Sequence, residues 1–229
     1  MRIPKRPDDR KFIAALSSPG IRGLYSAHYG TVGITQTDHI ADFVDRSKSG
    51  NRLLPIGKAA RIAIEIDSGI HLASFASPAP YVHEYWSSYG RGWAFGLLFM
   101  SMPSEADQYL LASDGVDIYI PSGEQVIAIR YCGQHEISIP VEPETITSLF
   151  CGYTGGKIRA WMNREPFVET EAPAAVRPKS RVVLGSDRYG GSPWKGYFGE
   201  LAVYGRYEPA FNADLQSVWT EYASFIYGI

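Results

Sequence analysis

No run of about 18 apolar residues exists in the sequence, so no segment is built to cross a membrane as a helix. The N-terminal segment MRIPKRPDDRKF is basic but leads into no apolar stretch, which excludes the secretory-signal pattern. If Met1 is the true start, the chain is expected not to leave its cell by the usual secretory route. Cysteine is scarce: Cys132 and Cys151 are the only two, and neither sits in a CxxC or zinc-type cluster. A thiolate metal site is thereby excluded. Two buried free thiols are expected, with a disulfide between neighbouring strands as the alternative. Charge of one sign is also lacking. The net charge is −2, and Lys and Arg are spread evenly among acids, so nothing draws the chain to nucleic acid or an acidic membrane. Internal repeats, low-complexity tracts and interdomain linkers are absent too.

What is present is enough for one core. Hydrophobic residues make up 45% of 229, which places the chain outside the disordered class. Tyrosine outnumbers phenylalanine, 15 to 10, a bias that suits sheet faces and wet binding surfaces. Residues 1–23 read as an N-terminal arm, broken by Pro4, Pro7 and Pro19 and charged by Lys5, Arg6, Arg10 and Lys11. A short helix over Asp8 to Leu16 fits there, with Phe12, Ala15 and Leu16 on one side. The arm is either a solvated terminus or a docking arm for a partner subunit.

From residue 24 the punctuation is that of a β protein. Short runs rich in Val, Ile, Tyr and Phe alternate with Gly, Pro, Asn, Asp and Ser. Ile62, Ile64 and Ile66 share one face of RIAIEI. Trp93–Met100, WAFGLLFM, reads as a central strand buried on both faces. Strands are expected at Gln108–Ala112, Asp117–Ile120, Gln125–Cys132 and Glu136–Ile139. Thr145–Tyr153, the turn Thr154-Gly155-Gly156 and Lys157–Met162 form a hairpin signal. Phe167–Thr170, Arg181–Leu184 and Tyr197–Tyr204 complete about ten strands, a number that means a sandwich or barrel. A helix closes the chain: Leu215, Val218, Trp219, Tyr222 and Ile226 repeat at helical spacing, with Asn212 as a cap and Gly228 as the stop. Trp219 is expected to anchor this helix in the core.

Three motifs in order carry a family resemblance. The first is Gly152-Tyr153-Thr154-Gly155-Gly156-Lys157-Ile158-Arg159-Ala160-Trp161-Met162-Asn163-Arg164. The second is Val182-Val183-Leu184-Gly185, a loop, and then Trp194-Lys195-Gly196-Tyr197-Phe198-Gly199-Glu200-Leu201-Ala202-Val203-Tyr204. The third is the tail Tyr227-Gly228-Ile229. Upstream, Phe43-Val44-Asp45-Arg46-Ser47-Lys48-Ser49-Gly50-Asn51 is similar to the family's "W-x-D-x-S-G-N-G" start. Together they resemble the laminin-G-like / concanavalin A-like lectin superfamily in its bacterial or phage form, over about residues 24–229. The resemblance implies an all-β concanavalin A-like jelly-roll sandwich with a C-terminal helix. One departure is that Asn163-Arg164 replaces the usual Asn-Gly, so that turn is expected to be wider or differently shaped.

Catalysis finds little support in the residues. Glycosidases of this superfamily place E-x-D-x-x-E along one strand, which sets two carboxylates over the sugar. Glu105-x-Asp107 and Glu65-x-Asp67 both lack the third acid. The five histidines (His28, His39, His71, His83, His135) accompany no nucleophile elbow. The chain is therefore expected not to be an enzyme, with a glycoside hydrolase as the weakest alternative. No cofactor is required. Calcium is the one candidate, through Asp114, Asp117 and Asp187, although no D-x-D-x-D-G ladder is present.

An aromatic binding platform is the stronger candidate, because sugars stack their C–H faces on Tyr and Trp while Asp, Asn and Arg take the hydroxyls. Two segments read as loops with this chemistry. One runs 81–89 and contributes Tyr85, Trp86 and Tyr89. The other runs 187–194 and contributes Asp187, Arg188, Tyr189 and Trp194. The function expected is a non-enzymatic carbohydrate-binding or adhesive domain of a phage virion, contacting cell-surface polysaccharide as a homo-oligomer. A purely structural virion subunit bound to other virion proteins is the alternative. The location expected is the virion, or else the cell surface.

Overall fold

The computed structural model describes residues 8–17, 20–27, 32–34, 40–47, 49–56, 64–67, 70–75, 80–87, 92–172, 179–205 and 213–229. Helix α1 (Arg10–Leu16) precedes strands β1 (Ile21–Ser26), β2 (Val32–Ile34), β3 (Ile40–Val44), β4 (Arg52–Pro55), β5 (Ile64–Asp67), β6 (Ile70–Ser74) and β7 (Tyr81–Ser87). Strands β8 (Trp93–Ser101), β9 (Gln108–Ala112), β10 (Val116–Ile120), β11 (Val126–Tyr131) and β12 (His135–Pro140) follow. The chain ends with β13 (Ile146–Thr154), β14 (Lys157–Met162), β15 (Val168–Glu171), β16 (Lys179–Leu184), β17 (Gly196–Tyr204) and helix α2 (Ala213–Tyr227).

Among the described residues these strands form two antiparallel sheets. An eight-stranded sheet runs β15-β14-β13-β8-β17-β6-β5, with β1 also paired to β17, and a nine-stranded sheet runs β12-β11-β10-β9-β16-β7-β4-β3-β2. One apolar core fills the space between them, holding Phe95, Leu97 and Phe99 from one side and Leu111, Ile118 and Ile129 from the other. A second cluster lies on the outer face of the eight-stranded sheet, where α1 and α2 cover Ala94, Leu98, Phe150 and Ala202. Strand β8 is thus buried on both faces, between β13 and β17, as the unbroken run WAFGLLFM requires.

The hairpin between β13 and β14 closes on Thr154↔Lys157, with Gly155 and Gly156 at φ 58° and 84°. Both central residues need positive φ for this tight turn, which is why the sequence spends two glycines there. The Asn163 turn is wider, as the missing glycine implies. Asn163 takes φ 52°, accepts the Ser148 amide on its Oδ1 at 2.8 Å, and Glu165 N closes the turn on Met162 O at 3.0 Å.

Trp219 is fully buried over Gly96 of β8, whose missing side chain makes room for the indole. Helix α2 ends as expected, with Gly228 at φ 74° and its amide on Ser224 O. Asn212 lies outside the described residues, as do Ile62 and Tyr89.

The segment expected as an arm belongs to the sandwich over its described part. Strand β1 pairs along β17, and α1 buries Phe12 and Leu16, with the Phe12 ring 5.8 Å from Tyr222 and 5.2 Å from Phe225. Ala15 is exposed; Ile13 takes its place against α2. The described residues of the arm therefore dock on their own domain. Among the described residues seventeen strands replace the ten or so anticipated: β2, β3, β4 and β6 have only three to five residues each and leave too little periodicity to read, β1 fell in the segment read as an arm, and β7 in one read as a loop.

The resembling motifs do structural work. Asp45 Oδ1 accepts the amides of Leu24 and Ser47, both at 2.8 Å, and Oδ2 takes the Ser47 hydroxyl at 2.9 Å and that of Ser49, which ties the loop after β3 to β1. Glu200 is fully buried, and its Oε1 accepts the hydroxyls of Ser26 (2.6 Å) and Tyr227 (3.0 Å). Arg46 bonds Asp9 ahead of α1 (2.5 Å) and the Tyr222 hydroxyl (3.3 Å). Burial pushes the Glu200 carboxyl up to about 7, against the opposing pull of Arg46 and the hydroxyls. Both cysteines are free, Cys151 in the core and Cys132 half-buried beside it.

Candidate functional site

The helices cover one outer face of the sandwich, so the outer face of the nine-stranded sheet is where an exposed site has room. On β10, Val116, Ile118 and Ile120 point into the core. Alternation turns Asp117 and Tyr119 outward. Register then sets their neighbours: Tyr119 pairs with Tyr109 of β9, Asp117 with Arg130 of β11, and Arg130 with Glu136 of β12.

Those side chains make an ordered row. The Tyr109 and Tyr119 rings stack at 5.0 Å and 17°. The Arg130 guanidinium lies 4.5 Å over Tyr119 and donates to Glu136 at 2.9 Å, and the Tyr119 hydroxyl reaches the same carboxylate at 2.9 Å. Asp117 is half-buried, and among the described residues it has neither a hydrogen-bond nor an ion-pair partner. Burial raises its carboxyl above the ordinary range, while Arg188 and Arg130 pull the other way.

The 187–194 segment overhangs this row. Its legs are fastened to β9, with Gly185 N on Leu110 O (2.9 Å) and Tyr109 N on Ser192 O (3.2 Å). Asp187 Oδ1 accepts the amides of Tyr189 and Gly191, both at 2.8 Å, and Gly190 turns the chain at φ 85°. This local bonding leaves the Tyr189 ring 82% exposed, with Arg188 lying 5.0 Å over it and reaching Asp114 at 3.5 Å.

Asp187, Arg188 and Tyr189 thus come together as expected, but Trp194 does not join them. Its ring is 1% exposed and packs in the core, 5.1 Å from Phe75 and 6.3 Å from Phe99. The far leg of the loop dives back toward β17, and the indole plugs the end of the sandwich as its anchor. The 81–89 segment is also corrected: it is strand β7 through Ser87, not a loop. Tyr81 is buried, with its hydroxyl on Ile40 O at 2.6 Å, and Tyr85 and Trp86 are consecutive strand positions, with Trp86 paired to Ser180.

Tyr109, Asp117, Tyr119 and Arg130 were not singled out from the sequence as a binding surface. The legible signal was the alternation Val116-Asp117-Ile118-Tyr119-Ile120, which puts an acid and a ring on the outer face, where Tyr119 is only 4% exposed beneath Tyr109 and Arg130 and the half-buried Tyr109 is the accessible ring of the pair. The calcium donors do not converge. Asp114 faces Arg188 and Asp187 caps its own loop, and among the described residues no three His, Cys, Asp or Glu side chains gather. Glu105 and Asp107 lie in the loop before β9, where Asp107 Oδ1 holds the Ser122 amide at 2.8 Å.

No family model matches the chain, and no curated protein matches it. Solved structures do. A mutant of Trypanosoma rangeli sialidase displaying trans-sialidase activity superposes with a TM-score of 0.60 at 11% identity, over 90% of this chain and 33% of that one. Botulinum neurotoxin type C, whose cell entry is described as dependent upon interaction with two ganglioside molecules, gives 0.61 at 8% identity, over 90% and 53%. The binding domain of botulinum neurotoxin DC in complex with SialylT gives 0.58 at 6% identity, over 89% and 52%. The fold is concanavalin A-like. The chain spans about a third to a half of each of these chains, and at such identities the likeness is one of fold, which many activities share.

Proposed function

We propose that this chain is a non-enzymatic carbohydrate-binding domain whose site is the outer face of the nine-stranded sheet beneath the 187–192 loop. One observation carries the reading: the half-buried Asp117 stands between two arginines and beside the stacked Tyr109 and Tyr119, with no partner of its own among the described residues. The half-buried Tyr109 ring, backed by the buried Tyr119, and the exposed Tyr189 ring offer flat apolar surface to a sugar's C–H face, and carboxylate and guanidinium groups take its hydroxyls. The similar structures described above with gangliosides and SialylT support glycan binding by analogy of fold. A site of this kind is shallow, so several copies acting together raise its avidity. The resemblance of the motifs to bacterial and phage members supports a place on a virion facing host polysaccharide. Absence of hydrolysis is proposed because neither acid pair continues into the third carboxylate: Leu110 and Ile70 stand at those positions.

The test is a glycan array probed with the intact chain, followed by titration of each hit with Tyr109→Ala and Tyr189→Ala. Loss of binding by tenfold or more in both variants, with unchanged melting temperature, is expected. An array without hits, together with a homo-oligomer that Tyr189→Ala dissociates, would favour the structural-subunit reading instead. Release of reducing ends from a bound polysaccharide would overturn the non-enzymatic part.

A further inference from the structure

Charge pairing across the same patch is lopsided, and that bears on which glycans it takes. Arg130 is committed to Glu136 at 2.9 Å and to the Tyr119 face. Arg188 reaches Asp114 and lies on Tyr189. Each guanidinium therefore has its own carboxylate. Two further carboxylates, Asp187, whose Oδ1 accepts two loop amides, and Asp117, with no side-chain hydrogen-bond or ion-pair partner among the described residues, face one further guanidinium, Arg181, which donates to the Arg188 carbonyl at 3.4 Å, so acids outnumber guanidiniums by one. The patch around the stacked tyrosines thus carries surplus negative charge at half-buried depth, where water and salt screen less than at an open surface.

We infer that this site selects glycans without negative charge, with Asp117 as the acceptor for the ligand's hydroxyl donors. The inference rests on the carbohydrate-binding reading and adds the ligand class to it. A neutral sugar donates O–H groups to Asp117, and hydrogen bonds to an ionised acceptor are short and strong. A sugar acid sets a second carboxylate beside Asp117 and Asp187, and the neighbouring guanidiniums must leave their own partners to offset it. The ligand class proposed is therefore unlike the SialylT bound by the botulinum neurotoxin DC binding domain.

Matched pairs test this: lactose against 3′-sialyllactose, and galactan oligomers against oligogalacturonates of equal length, titrated calorimetrically into the intact chain. The neutral member is expected to bind at least tenfold more tightly. Asp117→Asn should narrow that ratio to about threefold or less without lowering the melting temperature, since it removes an uncompensated charge. A mutation-free arm is salt: raising ionic strength from low to high should narrow the wild-type ratio as well. Equal or tighter binding of the acidic members overturns the inference while leaving glycan binding intact. A ratio indifferent to Asp117→Asn does the same. Failure of both members of every pair, with an empty glycan array, overturns the carbohydrate reading, and the inference falls with it.

Discussion

Gly96 offers a test in which two opposing effects can be weighed. Glycine inside a strand is destabilising by about 0.5–1 kcal/mol relative to alanine, so Gly96→Ala taken alone should stabilise β8. The structure says otherwise. A Cβ at this position lies 2.8 Å from Trp219 Cδ2 and 2.9 Å from both Cε2 and Cε3, against an ordinary contact of 3.4 Å or more. The indole is fully buried between Phe150 and Tyr222, whose ring centroids lie 6.5 and 6.1 Å away, and has no open side to retreat into. Overpacking of this kind costs about 2–3 kcal/mol, which outweighs the backbone gain and leaves a net loss of roughly 2 kcal/mol. For a domain of this size that lowers the melting temperature by about 4–8 °C. Trp219→Leu should itself cost on the order of 3 kcal/mol. The double variant should cost little more than Trp219→Leu, because leucine no longer roofs residue 96, giving a coupling of about 2 kcal/mol in a urea-unfolding cycle. Full additivity, or a Gly96→Ala variant as stable as wild type, would refute the packing argument.

Three further outcomes follow from the same geometry. Trp194→Ala should cost about 3–5 kcal/mol, whereas Tyr189→Ala should leave stability within about 0.5 kcal/mol, read by denaturant midpoints. A small loss for Trp194→Ala would return that ring to the surface. Two buried groups should oppose each other in pH dependence. Burial holds His83 down to about 4 from 6.5, so the unfolded chain binds the extra proton and the His83 contribution to stability is lost as pH falls from 6.5 toward 4. Glu200, raised from 4.5 to about 7, binds the extra proton when folded, so its contribution is present below 4.5 and lost as pH rises through about 7. Each amounts to about 3 kcal/mol over its window, and between 4.5 and 6.5 the slopes cancel. Stability of Glu200→Gln relative to wild type should therefore climb with pH from 4.5 to 7, and that of His83→Phe should fall between 4 and 6.5. Parallel curves for both variants would sink the linkage. Finally, Gly155→Val should be destabilising by more than 1 kcal/mol, because φ 58° puts a β-branched residue in strain while nothing crowds the site. A neutral result would mean that the turn re-forms in another shape.

Much of the architecture is written locally. The run Trp93–Met100 has no polar face to show to water, so it can lie only where both faces are covered. Two glycines after Thr154 specify a tight hairpin, and the Leu215–Ile226 stripe specifies a helix with one buried side. These patterns depend on neighbours within a few positions, which is why sequence periodicity is enough to place them. Strands β2, β3, β4 and β6 escaped because three to five residues hold less than a clear alternation.

The site was legible only in part, for a physical reason. Asp187, Arg188 and Tyr189 are adjacent, and the bonds from Asp187 to its own loop hold them together without outside help. Tyr109, Asp117, Tyr119 and Arg130 meet only through the β9–β10–β11 register, bulge included, and pairing register is a property of the assembled sheet. Trp194 and Tyr189 share one loop and similar chemistry, yet one is core and the other solvent-facing. Local patterning determined by itself a many-stranded β domain, sandwich or barrel, closed by a helix, and the motif resemblance pointed to the sandwich. Which of its rings lie inside was decided by tertiary structure, because a loop residue is buried only where distant residues, here Phe75 and Phe99, leave a space of its shape.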